Sequence, residues 1–356
     1  MRKRLGITLA AVLISAVAIV LTLVLTHEPE LVRYKASFFD VFDTYSEIIV
    51  YARDEQSAQA TLDTAHEALR TYHQLFDIYK DYEGINNIKT INDQAGIAPV
   101  AVDTRIIDML LYARDMQAKT DGRMNVAMGS VLKLWHDHRT QGIDDPLNAT
   151  LPDMAALTAA ASHTDIRQMI IDQAAGTVYL NDPAMALDVG AVAKGYAVEQ
   201  VAQAMIARGV SHAILSIGGN VRSIGTRGDG TSWRVNVQNP DLSAENTGLM
   251  TLNLNDLSLV TSGSYQRYYT VAGKQYHHII DPDTLLPAAH TWAVSIVTED
   301  SGLADVLSTA LYTLPLSQGL ALLAQFPGAE AVWVTLNGDI VRSPGFSALA
   351  GEEAAP

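Results

Sequence analysis

A carboxylate, a lysine and two glycines are gathered within nine consecutive residues, 188–196, which read Asp-Val-Gly-Ala-Val-Ala-Lys-Gly-Tyr. Residues 197–208 have the apolar spacing of an amphipathic helix, so the segment forms the N-terminal end of that helix. Unpaired backbone N–H groups and the helix dipole favour a phosphate there, and Lys194 adds a positive charge. A glycine-rich helix start with a solvated lysine explains the same residues equally well, and the spacing is not that of a Walker A loop.

Two further positions offer groups that could do chemistry. Asp305 and Thr309 lie four residues apart, so on a helix they share one face and present hard oxygen ligands that suit Mg²⁺. Taken alone, the pair is more often a helix-start aspartate and a threonine bonded back to its own helix. His278 precedes an Ile-Ile-Asp-Pro turn and could act as a general base, although strand-end histidines are more often structural.

The composition excludes several classes of function. The chain has 356 residues, of which 39 are acidic and 24 basic, and its net charge of −15 argues against nucleic acid as a partner. It has no cysteine, which excludes disulfides, thiolate catalysis and thiolate metal sites. No Gly-x-Ser-x-Gly segment indicates a serine hydrolase.

The two ends of the chain differ from its centre. Three basic residues at positions 2–4 precede an uncharged apolar run, 5–26, that is long enough to span a bilayer. We therefore predict that residues 1–28 are an uncleaved signal-anchor forming one transmembrane helix. The basic flank would stay in the cytoplasm, which places the protein in the inner (cytoplasmic) membrane with most of the chain on the exported, periplasmic side. The tail, 348–356, is expected to be disordered.

The elements between these ends must position the chemical groups. Residues 37–53 read as strand material broken at Asp43, and a helical stripe of apolar residues runs from Ala58 to Tyr79. A helix is predicted after Asp103, a polar surface loop over 136–152, and mainly strands after the central helix. The pattern predicts a single α+β domain over 30–347, with a mixed or antiparallel sheet and flanking helices.

In their order, the motifs resemble those of the FAD:protein FMN transferases, the ApbE-like family. Five segments carry the resemblance, namely residues 188–196, 215–220, 261–265, 278–282 and 304–310. The resemblance implies an enzyme that splits the diphosphate of FAD with Mg²⁺ and transfers FMN to a threonine or serine hydroxyl of a partner protein. The product is a phosphodiester, and AMP is released. The implied acceptors are flavoprotein subunits of membrane redox complexes.

The resemblance also implies roles for individual residues. It places Mg²⁺ on the Ala191 backbone carbonyl, Asp305 and Thr309, and gives His278 the task of deprotonating the acceptor hydroxyl. It implies FAD contacts at Phe42, Tyr79, Arg123, Met124, Asn125, Asp188, Lys194 and either Ile279 or Ile280.

The sequence departs from the family pattern at several positions. Phe42-Asp43 stands where the family has Met-Gly, Asn125 where aspartate is usual, and Leu285 where glycine follows the turn; the lipid-carrying cysteine of exported members is absent. Two other functions remain open: an Mg²⁺-dependent FAD pyrophosphatase that releases FMN and AMP, and a non-catalytic FAD-binding protein. The intact Asp305 and Thr309 pair speaks against the second.

Overall fold

A computed structural model describes residues 30–349. The first half contains β1 (Val32–Phe38), β2 (Ser46–Ala52), α1 (Glu55–Phe76), α2 (Ile88–Asp93), β3 (Val100–Ala101), α3 (Thr104–Lys119), α4 (Gly129–Asp144), α5 (Met154–Ala161), β4 (Met169–Asp172) and β5 (Thr177–Leu180). The second half contains α6 (Ala193–Ala207), β6 (Ala213–Ile217), β7 (Asn220–Ile224), β8 (Trp233–Gln238), β9 (Gly248–Leu254), β10 (Ser258–Gly263), β11 (Tyr268–Val271), β12 (Lys274–His277), β13 (Thr291–Thr298), α7 (Ser301–Tyr312), α8 (Leu316–Leu323), β14 (Glu330–Thr335) and β15 (Ile340–Arg342).

The centre of the fold is an eight-stranded sheet in the order β1-β2-β6-β7-β10-β13-β14-β15. Neighbouring strands pair antiparallel throughout. Along strand β2, buried and partly buried residues alternate, and Ile48 and Val50 face the core. Smaller sheets, β3-β5-β4, β8-β9 and β11-β12, surround this one.

Helices cover one face of the large sheet. The apolar stripe of α1 and the buried side of α6 share a core with β2 and β6. Helices α7 and α8 pack in the same way on β10, β13 and β14. The β8-β9 hairpin covers the opposite face, with Trp233 buried among residues such as Leu259 and Val297. This arrangement places α6 beside α7, the two helices that carry the candidate chemical groups.

Helices α6 and α7 approach closely because of a glycine. A Cβ atom at Gly195 would overlap the carbonyl oxygen of Ser301 and the Cβ of Asp305. Residues that lie 110 positions apart in the sequence, Gly195 and Asp305, thus meet where α6 begins.

Most predicted elements are found, with two corrections. The α+β architecture and the long first helix are as predicted, but residues 136–152 are not one loop, because α4 continues to Asp144. No helix within residues 30–349 is long and apolar enough to cross a membrane, so the predicted fold class is corrected to the α+β architecture of those residues. The residues for which that helix was predicted, 1–28, and most of the predicted tail lie outside the described part of the chain.

Candidate active site

The first turn of α6 is opened by a side chain from α7. In a regular helix the Gly195 N–H would bond to the carbonyl of Ala191, but it donates instead to Asp305 Oδ2 at 2.8 Å. The Ala191 carbonyl consequently accepts no hydrogen bond from any residue within 30–349. Because a partly buried carbonyl normally has a partner, this oxygen is available to a ligand.

The neighbouring oxygens form a donor set of the same kind. Asp305 is buried, with 4% of its surface exposed. Thr309, one turn further along α7, is partly buried, and its hydroxyl bonds to no described residue, so it is not bonded back to its own helix. A carboxylate, a hydroxyl and a carbonyl are the ligands that Mg²⁺ prefers. The described residues contain no cluster of three or more His, Asp or Glu side chains, so a metal bound here would rely on one carboxylate and neutral oxygens.

Lys194 lies beside this donor set. Its Nζ is 3.9 Å from Asp305 Oδ2, and about a quarter of the side chain is exposed. The structure therefore brings together Ala191, Lys194 and Asp305, which the sequence analysis placed in one site although they are far apart in the chain.

A buried ion pair holds α7 against α6. Glu199 Oε2 accepts the backbone N–H of Ser301 at 2.9 Å and Arg222 Nε at 3.0 Å. Both charged side chains are at least nine-tenths buried. One carboxylate thus joins α6, β7 and the start of α7, and this fixes the direction from which Asp305 approaches. The sequence analysis missed this pair, because nothing in the local pattern connects residues 199 and 222.

Adjacent histidines have different hydrogen-bond environments. His277 uses both ring nitrogens: Nε2 lies 2.8 Å from the Ala288 carbonyl, and Nδ1 accepts the Ile279 N–H at 3.3 Å. His278 uses only Nδ1, which lies 3.2 Å from the Arg267 carbonyl. Because a carbonyl can only accept, Nδ1 carries the hydrogen, and the lone pair of His278 is on Nε2. Burial, together with Arg267 and Arg139, lowers the pKa of His278 to about 3, so the ring is neutral at physiological pH.

Asp188 lies at the entrance to α6. Its N–H donates to the Val126 carbonyl at 2.8 Å, and its Oδ1 accepts the Gly190 N–H at 2.9 Å. Burial raises the pKa of this carboxyl, while the Gly190 N–H and the nearby His136, Arg139 and Lys194 act in the opposite direction. Asp188 is therefore a partly buried acid surrounded by cationic and neutral nitrogen groups.

The loop before β2 takes an unusual backbone conformation. Phe42 has φ 52° and Asp43 has φ 49°, both in the left-handed region that favours glycine. The Phe42 N–H donates to His73 Nδ1 at 3.1 Å, which helps to hold the strained turn. The family's glycine at position 43 therefore fits the backbone better than the aspartate found in this chain.

Tyr79 lies beyond the end of α1 and is 55% exposed. Its ring stacks on His136, with centroids 5.0 Å apart, and Arg139 Nη2 lies 3.1 Å from His136 Nδ1. The sequence does not predict an FAD contact for His136 or Arg139, because their segment reads as a polar loop. A helical spacing of three residues, 136 to 139, was the available signal.

The remaining flavin candidates have structural partners. Arg123 bonds to Asp281 at 3.4 Å and to Asp283. Asn125 accepts the Ala127 N–H at 2.9 Å and donates to the Thr164 carbonyl at 3.0 Å; an aspartate could not make the second bond. Met124 and Ile279 are buried in separate cores. Their predicted contacts with FAD stay predictions.

Comparison with known proteins adds a family and several relatives. Residues 42–333 match the model of the ApbE family. An FAD:protein FMN transferase of Treponema pallidum (strain Nichols) is 33% identical over 83% of this chain and 82% of its own length. Another, from Klebsiella pneumoniae (strain 342), is 31% identical over 76% of this chain and 84% of its own length. The crystal structure of the ApbE protein from Thermotoga maritima superimposes with a TM-score of 0.79 at 27% identity, covering 90% of this chain and all of that one.

Proposed function

The chain belongs to the ApbE family and is an FAD:protein FMN transferase, and we propose that it acts with Mg²⁺ on a threonine or serine hydroxyl of its acceptor. The product would be a protein–FMN phosphodiester, with AMP as the leaving group. The acceptors that we expect are flavoprotein subunits of membrane redox complexes.

One observation carries the metal part of this proposal. The Gly195 N–H bonds to Asp305, and no residue within 30–349 donates to the Ala191 carbonyl or bonds to the Thr309 hydroxyl. Ala191, Asp305 and Thr309 would hold Mg²⁺ through these oxygens. When bound, the ion supplies positive charge that neutralises the diphosphate and polarises its phosphorus–oxygen bonds.

The chain's own residues supply the rest of the site. The backbone N–H of Lys194, which bonds to no described residue, and the Lys194 ammonium favour an anionic group at this position. The flavin and ribityl parts of FAD would be oriented by Phe42, Tyr79, Asp188 and residues 123–125. Glu199 keeps Asp305 in place, which preserves the distance between the oxygens of the two helices.

His278 is the proposed base for the acceptor hydroxyl. Its Nε2 has a free lone pair because Nδ1–H bonds to the Arg267 carbonyl. Its neighbour His277 has both nitrogens engaged and cannot take this role without breaking a bond. A neutral imidazole can accept the hydroxyl proton as the oxygen attacks phosphorus.

The test is incubation of the full chain with FAD, Mg²⁺ and a purified redox-complex subunit, followed by mass measurement of that subunit and detection of AMP. We expect the subunit to gain one FMN, and a variant with alanine at the modified threonine or serine to gain none. Free FMN and AMP with an unmodified subunit would establish the pyrophosphatase instead. Bound FAD that stays intact after Mg²⁺ is added would establish a non-catalytic flavin-binding protein.

A further inference from the structure

Arg139 has an unusual charge environment for a side chain that is partly buried. The other partly or fully buried arginines within residues 30–349 each pair with a carboxylate, and they are Arg105, Arg123, Arg222 and Arg227. Arg139 pairs with none of the carboxylates in that range. Burial of an unpaired guanidinium is costly, and desolvation lowers the pKa of Arg139 accordingly. The position is therefore suited to an anion that comes from outside the chain.

The one hydrogen bond of Arg139 defines the state of its neighbour. A guanidinium can only donate, so His136 Nδ1 accepts from Arg139 Nη2 at 3.1 Å, and the ring is neutral with its hydrogen on Nε2. Burial also lowers the pKa of His136, which agrees with a neutral ring. Tyr79 stacks on this ring with an interplanar angle of 29°. The result is a flat aromatic surface that ends at a guanidinium.

Arg267 approaches the same region from the segment before β11. Its backbone carbonyl accepts both the N–H and the Nδ1–H of His278. Its guanidinium is exposed and forms no hydrogen bond or ion pair with a described residue. Arg139 lies on α4, which packs against β11 immediately after Arg267, with Gly142 of α4 against the ring of Tyr269. The two guanidinium charges disfavour each other, and both act on His278. Two like charges that act on one histidine are stabilised when an anion lies between them.

We propose that Arg139 and Arg267 bind the diphosphate of FAD, together with Lys194. The planar guanidinium matches pairs of phosphate oxygens, which a point charge such as Lys194 does not. The stacked rings of Tyr79 and His136 form a flat aromatic surface next to Arg139, and such a surface can support a ring of the same dinucleotide. This inference rests on the proposed function and adds two phosphate-binding residues to it.

The experiment compares ligands with and without phosphate. The dissociation constants of FAD, ADP and riboflavin are measured by titration calorimetry for the full chain and for Arg139→Gln, Arg139→Lys and Arg267→Gln. Arg167→Gln is the control, because it removes the same charge from an exposed arginine that pairs with Asp165. We expect the dissociation constants of FAD and ADP to rise by about tenfold or more in the two glutamine variants. The dissociation constant of riboflavin in these variants, and those of all three ligands in the control, should change by no more than about twofold. Lysine at 139 should restore part of the loss.

Several outcomes would overturn the inference. It fails if the variants lose as much affinity for riboflavin as for FAD. It also fails if the variants bind FAD with the affinity of the unaltered chain, and the unaltered chain transfers FMN. If the unaltered chain binds neither FAD nor ADP, the proposed function fails as well. Arg267→Gln keeps the comparison decisive if Arg139→Gln does not fold, because the exposed Arg267 side chain has no described partner to lose.

Discussion

At the scale of single residues, hydrogen bonds decide which atoms are free to react. His277 and His278 are neighbours of identical type, and only His278 keeps an unbonded nitrogen. The Ala191 carbonyl is free for a comparable reason, since its expected donor bonds to Asp305. In both cases the chemistry depends on where a neighbouring N–H points.

The first prediction concerns Asp305. Asp305→Asn keeps an oxygen to accept the Gly195 N–H but removes the negative charge, so the fold should persist while metal binding is lost. We expect FMN transfer to fall at least about a hundredfold, since a bound metal ion contributes several kcal/mol to the transition state. The rate is measured at fixed FAD and Mg²⁺, and thermal unfolding checks the fold. Asp339→Asn, on an exposed turn, is the control. If Asp305→Asn transfers FMN at a rate within about threefold of that control, Asp305 is not a ligand of the metal.

A second prediction concerns the strained turn at Asp43. Its φ of 49° costs less with glycine, and its ion pair with Lys80, at 3.8 Å between exposed groups, contributes little. We expect Asp43→Gly to raise the free energy of unfolding by about 1 kcal/mol or less, because glycine's larger unfolded-state entropy offsets part of the relief. Urea unfolding measures the change. A clear loss of stability would show that the aspartate side chain matters more than the backbone.

At the scale of elements, the site depends on how closely α6 and α7 approach. Glycine at 195 permits the approach, and the Glu199 carboxylate fixes it by accepting from Ser301 and Arg222. Neither helix carries the site alone, because the turn before α6 supplies the Ala191 carbonyl and α6 supplies Lys194, while α7 supplies Asp305 and Thr309.

The third prediction tests this approach. Gly195→Ala inserts a methyl group where Ser301 and Asp305 already lie, so the helices must separate. We expect the free energy of unfolding to fall by about 1–3 kcal/mol, which is the usual cost of overpacking. We expect the rate of FMN transfer to fall by a larger fraction than the free energy of unfolding. Gly248→Ala is the matched control, since its nearest neighbours are 3.7 Å or more from the added carbon. Unchanged transfer in Gly195→Ala, with the control also unchanged, would show that the close approach is not required.

At the scale of the whole molecule, several histidines are kept neutral by the fold. Burial lowers the pKa of His136 on α4, of His277 at the end of β12 and of His278 after it. These residues belong to different parts of the chain, α4 and the end of β12, so their protonation is coupled to the stability of the domain as a whole rather than to one local contact.

The fourth prediction is a loss of stability in mild acid. Histidines of the unfolded chain titrate near about pH 6.5, whereas His278 in the folded chain has a pKa of about 3. Below about pH 6.5 the unfolded state therefore binds more protons, and the free energy of unfolding decreases as the pH falls. We expect the urea midpoint to drop between about pH 7 and pH 5, and to drop less in His278→Asn. The raised pKa of Asp188 has the opposite effect on stability, so the contribution of His278 is measured by comparison with the variant. His290→Asn, at an exposed position, is the control. An equal drop of the urea midpoint in His278→Asn and in this control would contradict the prediction.

The sequence by itself determined the α+β class, the amphipathic stripe of α1 and the order of the five motifs, because these depend on local periodicity and on residue type. It also identified both halves of the proposed metal site as separate motifs. It did not give the extent of α4, since a polar helix face and a polar loop have similar composition, and so it missed Arg139.

Only the tertiary structure decided which groups meet and which atoms stay free. The contact between Gly195 and Asp305, the buried hydrogen bond from Arg222 to Glu199 and the difference between His277 and His278 all depend on residues that meet through space. Such contacts depend on packing and hydrogen-bond direction between elements, and neither quantity is present in the spacing of residues along one chain.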